Sequence, residues 1–148
     1  MRLPPGQRTS ARRSVVHHAF RLLLGAALLV TGTAHLTWAR TAFGAQVPRW
    51  LPLPTDLVVV GSGLVELALG AALIALPQYR AAVGFLVAAF FVAIFPGNSA
   101  QYVDGSDAFG LNSDRARTIR LLFQPVLITW ALWATGPWQA TRNAGRRR

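Results

Sequence analysis

The chain contains no cysteine and no lysine, and all 15 of its strongly basic residues are arginine. Without cysteine it forms no disulfide, holds no thiolate-ligated cluster and does no thiol chemistry of its own. Acids are scarce too: five stand against the 15 arginines, for a net charge of +10. Of the three histidines, His17 and His18 are adjacent and His35 is remote. A bis-histidine haem needs two at one depth on facing helices, and ordinary metal sites need more donors than this. No glycine loop leads into Lys-Ser/Thr to cradle a phosphate. Gly61-Ser62-Gly63 is too short for a nucleophile elbow, and no Ser-His-acid triad stands at obvious spacing. An intrinsic cofactor or metal is therefore not expected.

What the chain has in quantity is apolar sequence, 53% of its 148 residues. It comes in blocks of about 15–22 residues, near the ~20 that a spanning helix needs. Soluble helices of that length would be striped; these are apolar nearly all round. The arginines flank the blocks instead of forming a stripe with aromatics. That pattern fits the positive-inside rule and argues against nucleic-acid binding.

The sequence predicts an all-α fold, an integral membrane four-helix bundle of antiparallel up-down connectivity in the cell (plasma) membrane. Residues 1–14 read as a disordered basic arm, 15–138 as the transmembrane domain and 139–148 as a basic tail. The spans are expected at about 16–38, 55–76, 80–102 and 117–135. In the third, Pro96 is expected to kink the helix without ending it. Gly44, Pro48, Trp50, Pro52 and Pro54 mark an outer loop with an interfacial tryptophan. With four spans both termini share a side. Ten arginines and no acid fall there, against five arginines with Asp56, Asp104, Asp107 and Asp114 on the other, which predicts cytoplasmic termini. Arg21, near the start of the first span, is expected to snorkel to the headgroups. A cleaved signal peptide, including a twin-arginine signal at Arg12-Arg13, is the alternative for the first span. Its length and its Gly32 and His35 at helix-packing spacing argue for a retained helix.

Glu66 lies inside the second apolar run. An ionisable group in lipid is costly, and so marks a functional site by default. Gly63, Glu66 and Gly70 share one face at i, i+3, i+7, with Ser62 on a neighbouring line. Gly25, Gly32 and His35 repeat that logic on the first span, and small residues let two helices approach closely. The two glycine faces are expected to pack together and to aim His35 and Glu66 inward. Arg117, Arg120 and Gln124 share a face of the fourth span, and Asn98 and Gln101 follow Pro96. By helical rise Glu66 lies about 14 Å below the outer end of its helix, with His35, Asn98 and Arg120 about 5 Å in. These groups are expected to line one polar vestibule with Glu66 at its floor. Arg120 is long enough to pair with Glu66. The candidate ligand-binding set is His35, Ser62, Glu66, Asn98, Gln101, Arg120 and Gln124, with Glu66 a candidate proton relay and no catalytic residue assigned. Each has a purely structural reading: a Glu66–Arg120 pair that fixes register, amides that bond across helices, Arg117 as a headgroup anchor.

Five short motifs occur in order: Gly32-Thr33-Ala34-His35, Pro48-x-Trp50-Leu51-Pro52, Ser62-Gly63-Leu64-Val65-Glu66, Phe95-Pro96-Gly97-Asn98 and Arg120-Leu121-Leu122-Phe123-Gln124 with Trp130. In these, over residues 20–136, the chain resembles the DoxX-like family of small bacterial four-helix membrane proteins. The resemblance implies a non-catalytic accessory subunit of a redox-linked, quinone-associated complex, with the vestibule taking a quinone headgroup. It further implies an oxidoreductase partner or self-association. A second reading stays open: a structural or assembly protein, or a small-solute carrier, with no redox role.

Overall fold

The computed structural model describes residues 5–105, 110 and 113–136, with side chains from residue 14 onward. Residues 1–4 of the expected arm and its tail counterpart at 139–148 lie outside them. The described residues are helical, with no strand among them: α1 Pro5–Leu36, the short α2 Arg40–Gly44, α3 Thr55–Ala75, a 3₁₀ turn at Pro77–Tyr79, α4 Arg80–Val103 and α5 Asp114–Thr135. Helix α1 begins inside the stretch expected as a disordered arm. Three segments are long and apolar enough to cross a membrane: Ser14–Leu36, Thr55–Ala75 and Pro77–Val103. Helix α5 is not among them; Asp114, Arg115, Arg117 and Arg120 stand in its first two turns.

Local chemistry sets the boundaries. Pro77 opens the 3₁₀ turn, where its missing N–H is not needed, and the turn is tight enough to return α4 along α3. Helix α4 runs through Pro96 and on to Val103. Helix α5 starts a turn earlier than expected because the Ser113 hydroxyl caps it, accepting from the Ala116 N–H at 3.3 Å. It ends at Gly136, whose φ of 60° only glycine adopts without strain.

Helices α1 and α3 pack antiparallel through their glycines. A Cβ built on Gly32 would lie 2.8 Å from the Gly63 carbonyl, and one on Gly70 would lie 2.8 Å from the Gly25 carbonyl. Helix α4 packs as closely on α5, with Gly84 against the Thr135 side chain. Contact between the two pairs is sparser. The apolar core, built on Leu24, Leu28, Leu73, Val87, Phe91 and Ala131, sits toward the turn end, where Pro77–Tyr79 joins α3 to α4. At that end Arg21 is only 2% exposed. It does not snorkel: its guanidinium donates to the Leu73 carbonyl in the last turn of α3 and approaches His18 Nδ1 at 3.1 Å. Also near that end Trp130 donates to the Phe20 carbonyl at 3.2 Å, and Trp133 packs edge-on to Phe20 and His17, which joins α1 to α5.

At the opposite, loop end, α2 folds over the helices. Arg40 bonds Asp56 through Nε at 2.6 Å and through a second guanidinium nitrogen, which ties α2 to the start of α3. The Asp56 hydrogen bond and charge hold the Arg40 guanidinium above its ordinary pKa. Arg117 is buried, contrary to a headgroup anchor. It donates to Asp114 and to the Gly105 carbonyl, both at 2.9 Å, and so fastens the start of α5 to the end of α4.

Candidate functional site

Between the two helix pairs lies a cavity of about 640 Å³. Its polar wall gathers His35 from α1, Ser62 and Glu66 from α3, Asn98 from α4, and Arg120 and Gln124 from α5. Of the expected set, Gln101 alone is not on this wall; it is buried a turn beyond Asn98. The glycine contacts explain the convergence. A Cβ on Gly63 would lie 2.7 Å from the His35 Cβ, so the α1–α3 approach itself brings the imidazole over Glu66.

Glu66 is 6% exposed, and its ionic neighbour is His35, not Arg120. His35 Nδ1 lies 3.4 Å from Glu66 Oε2 and 2.9 Å from the Thr31 carbonyl. A carbonyl only accepts, so the contact with Thr31 requires a proton on Nδ1. Directed at Thr31, that proton leaves Glu66 Oε2 buried without a hydrogen bond. Arg120 instead reaches Asn98, its Nε 3.5 Å from the amide oxygen, a distance too long to carry much energy.

Asn98 and Gln124 form the firmest polar contact. The Asn98 amide donates to Gln124 Oε1 at 2.9 Å, and Gln124 Nε2 donates to the Phe91 carbonyl. Proline at 96 deprives the carbonyl four residues earlier of its helical donor. Support of this stretch of α4 comes from Gln124, bonded one residue away from that carbonyl, with Asn98 bound to Gln124 in turn. The mutation Gln124→Leu leaves both the Asn98 amide and the Phe91 carbonyl without this partner. We expect it to lower stability by about 1–2 kcal/mol, read as the unfolding midpoint in detergent. With Asn98→Leu the losses should be less than additive; additive losses would contradict a shared network.

The roof was not legible in the sequence. Phe43 of α2 stacks on His35 with ring centroids 3.3 Å apart and planes 15° from parallel. Gln46 lines the cavity beside it, its amide nitrogen buried without a hydrogen bond. The Gln46 carbonyl would sit 2.7 Å from a Cβ on Gly97, so glycine there lets the roof close onto α4. Both are lone residues in a loop without periodicity, marked in the sequence only by neighbouring Gly44 and Pro48. Below the polar wall the lining turns apolar, with Leu24, Leu28, Leu127 and Trp130. Among the described residues no group of His, Asp and Glu is placed to hold a metal.

These features define a helical membrane-type protein with an amphipathic cavity between two helix pairs. The chain belongs to the family described as Domain of unknown function (DUF8561), whose model matches residues 24–135. That finding corrects the resemblance to the DoxX-like proteins, since the family is a different one. Glycine at helix crossings and Pro-Trp-Pro at an interface are common solutions to membrane packing, and five such short motifs do not define a family. No match to the chain is found among curated proteins or among solved structures.

Proposed function

We propose that the protein is a cell-membrane protein whose cavity binds the headgroup of a small amphiphile, with Glu66 as hydrogen-bond partner and proton relay. Helix α5 joins the three apolar helices as a fourth span, which gives an antiparallel four-helix bundle with both termini cytoplasmic. The arginine distribution supports that orientation, and the charges of α5 gather at its loop end, leaving an apolar remainder. The protein acts as a non-catalytic, accessory component. A quinone is one headgroup class of suitable character; a redox partner for this chain had its ground in the DoxX likeness and has none now.

One observation carries the reading. A carboxyl group, buried and with one oxygen unbonded, belongs to a residue that lines a cavity of about 640 Å³, within the range of small-molecule sites. A polar atom without a hydrogen bond at membrane depth is expensive, and a ligand that bonds it offsets that cost. A second reading, a structural or assembly protein or a small-solute carrier, draws support from Asn98, Gln124 and the Phe91 carbonyl, which satisfy one another without a ligand.

The test is purification in mild detergent with native mass spectrometry of bound small molecules. Wild type should retain an amphiphile, and Glu66→Gln should retain about tenfold less, as expected for one lost buried hydrogen bond. An empty wild-type protein, with Glu66→Gln altering only stability, would establish the second reading instead.

A further inference from the structure

Two residues that line the same cavity each carry one unmet polar atom, and the two atoms are complementary. Glu66 Oε2 is an acceptor in the wall, and Gln46 Nε2 is a donor in the roof; both are buried and neither has a hydrogen bond. Buried polar atoms in folded proteins are bonded with few exceptions, so two exceptions on residues of one lining point to what would fill the space. We propose that the cavity takes an amphiphile with a neutral, hydroxyl-bearing head and a single apolar tail, and that the tail leaves sideways between α1 and α5. This rests on the reading of the cavity as an amphiphile site and specifies its ligand class.

The head follows from the donor and acceptor inventory. A hydroxyl donates and accepts, so one hydroxylated head can donate to Glu66 and accept from Gln46. A phosphate or carboxylate head only accepts and would face the Glu66 carboxyl. Arg120, 3.5 Å from Asn98 in the same wall, is the one arginine among the described lining residues and speaks for an anionic head; the experiment below decides between them.

The tail follows from the lining. Beneath the polar groups the cavity is apolar down to Leu24 and Trp130. Ala27 and Thr31 of α1 and Ile119 and Phe123 of α5 line it while remaining exposed. Helices α1 and α5 are joined farther down, where Trp130 meets the Phe20 carbonyl and ring. The wall is therefore open above that contact. On the opposite side the roof loop covers the space, with the Gln46 carbonyl against Gly97 and Pro48 buried.

The experiment uses the full chain in detergent micelles. The probe is a monoacylglycerol brominated along its chain, and the control is the fatty acid brominated at the same positions. Bromine quenches tryptophan at contact, and the Trp130 component is isolated by comparison with Trp130→Phe. The monoacylglycerol should quench Trp130, with the fatty acid at least about tenfold weaker. Gln46→Leu and Glu66→Leu should each weaken the monoacylglycerol about tenfold. Gln46 lies in the loop outside the helices, so that variant remains informative if Glu66→Leu does not fold. Ala27→Phe, at the rim, should reduce Trp130 quenching, and unchanged quenching overturns the side exit. Equal quenching by both probes, or indifference to Gln46→Leu and Glu66→Leu, overturns the hydroxylated head while leaving an amphiphile site intact. Absence of quenching by either probe overturns this proposal and the amphiphile reading together.

Discussion

Gly63→Leu is expected to abolish the folded protein. A Cβ at that position already lies 2.7 Å from the His35 Cβ and 3.1 Å from the Gly32 carbonyl. Neither neighbour is the far end of a flexible side chain, so the clash is relieved only by moving α1 away from α3. That separation undoes the reciprocal contact of Gly32 with the Gly63 carbonyl and loosens Gly25 against Gly70. Overpacking a tight interior costs about 1–3 kcal/mol and sometimes more, and four added heavy atoms against backbone lie at the upper end. Without lipid-driven attraction between apolar helices, close packing of this kind is what holds membrane helices together. The control lies two residues away: nothing stands within 4 Å of a Cβ on Gly61. Gly61→Ala should therefore stabilise α3 by up to about 1 kcal/mol through helix propensity. Membrane abundance and thermal unfolding followed by circular dichroism read both. A Gly63→Leu protein that melts like wild type would mean that α1 and α3 do not meet at these glycines.

Charge reversal at Arg21 should be nearly as damaging. Its guanidinium is buried and donates to the Leu73 carbonyl, at the C-terminal end of α3 where unsatisfied carbonyls carry partial negative charge. Arg21→Glu sets a carboxylate against those oxygens, and attraction to nearby Arg80 offsets only part of that cost. Losing a buried hydrogen bond from a charged group costs about 1.5–3 kcal/mol, and reversal adds repulsion to the loss. Arg21→Gln removes the charge but keeps a donor, and should fall between. The same melting series orders the three: wild type, Gln, Glu. If Arg21→Glu unfolds no earlier than Arg21→Gln, the arginine acts by its bulk and not as a cap on α3.

How much of this was legible in the sequence depended on whether a residue's role was set by its own helix or by another. Gly25, Gly32, Gly63 and Gly70 were legible as packing faces because periodicity alone assigns a face. The side chains of His35, Ser62, Glu66, Asn98, Arg120 and Gln124 were placed in one vestibule on the same ground, combined with depth along each helix. Arg21 was misjudged because its distance to its own helix end is visible, whereas the end of α3 beside it is not. The expected Glu66–Arg120 pair fails for a related reason. Reach along a side chain is readable, but the contact between α1 and α3 is closer than that between α3 and α5, and it hands Glu66 to His35. The roof was out of reach altogether: Phe43 and Gln46 acquire their role from a loop path that only the tertiary structure defines. Family membership was misread where short motifs shared the physical demands of a bilayer without sharing descent.

The unequal closeness of the helix contacts has a mechanical consequence. Helices α1 and α3 are locked by interleaved glycines, and α4 and α5 by Gly84 against Thr135 and by the Asn98–Gln124 amides. Each pair is closely packed, whereas the seam between them has fewer contacts; it is pinned near the turn end by Trp130 on Phe20 and bridged at the loop end by the Gln46 carbonyl on Gly97. Parting the pairs at the loop end would dilate the cavity by drawing the Gln46 carbonyl off Gly97, with the glycine and amide locks within each pair left in place. Rigidity and capacity are thus assigned to different surfaces of the same four helices.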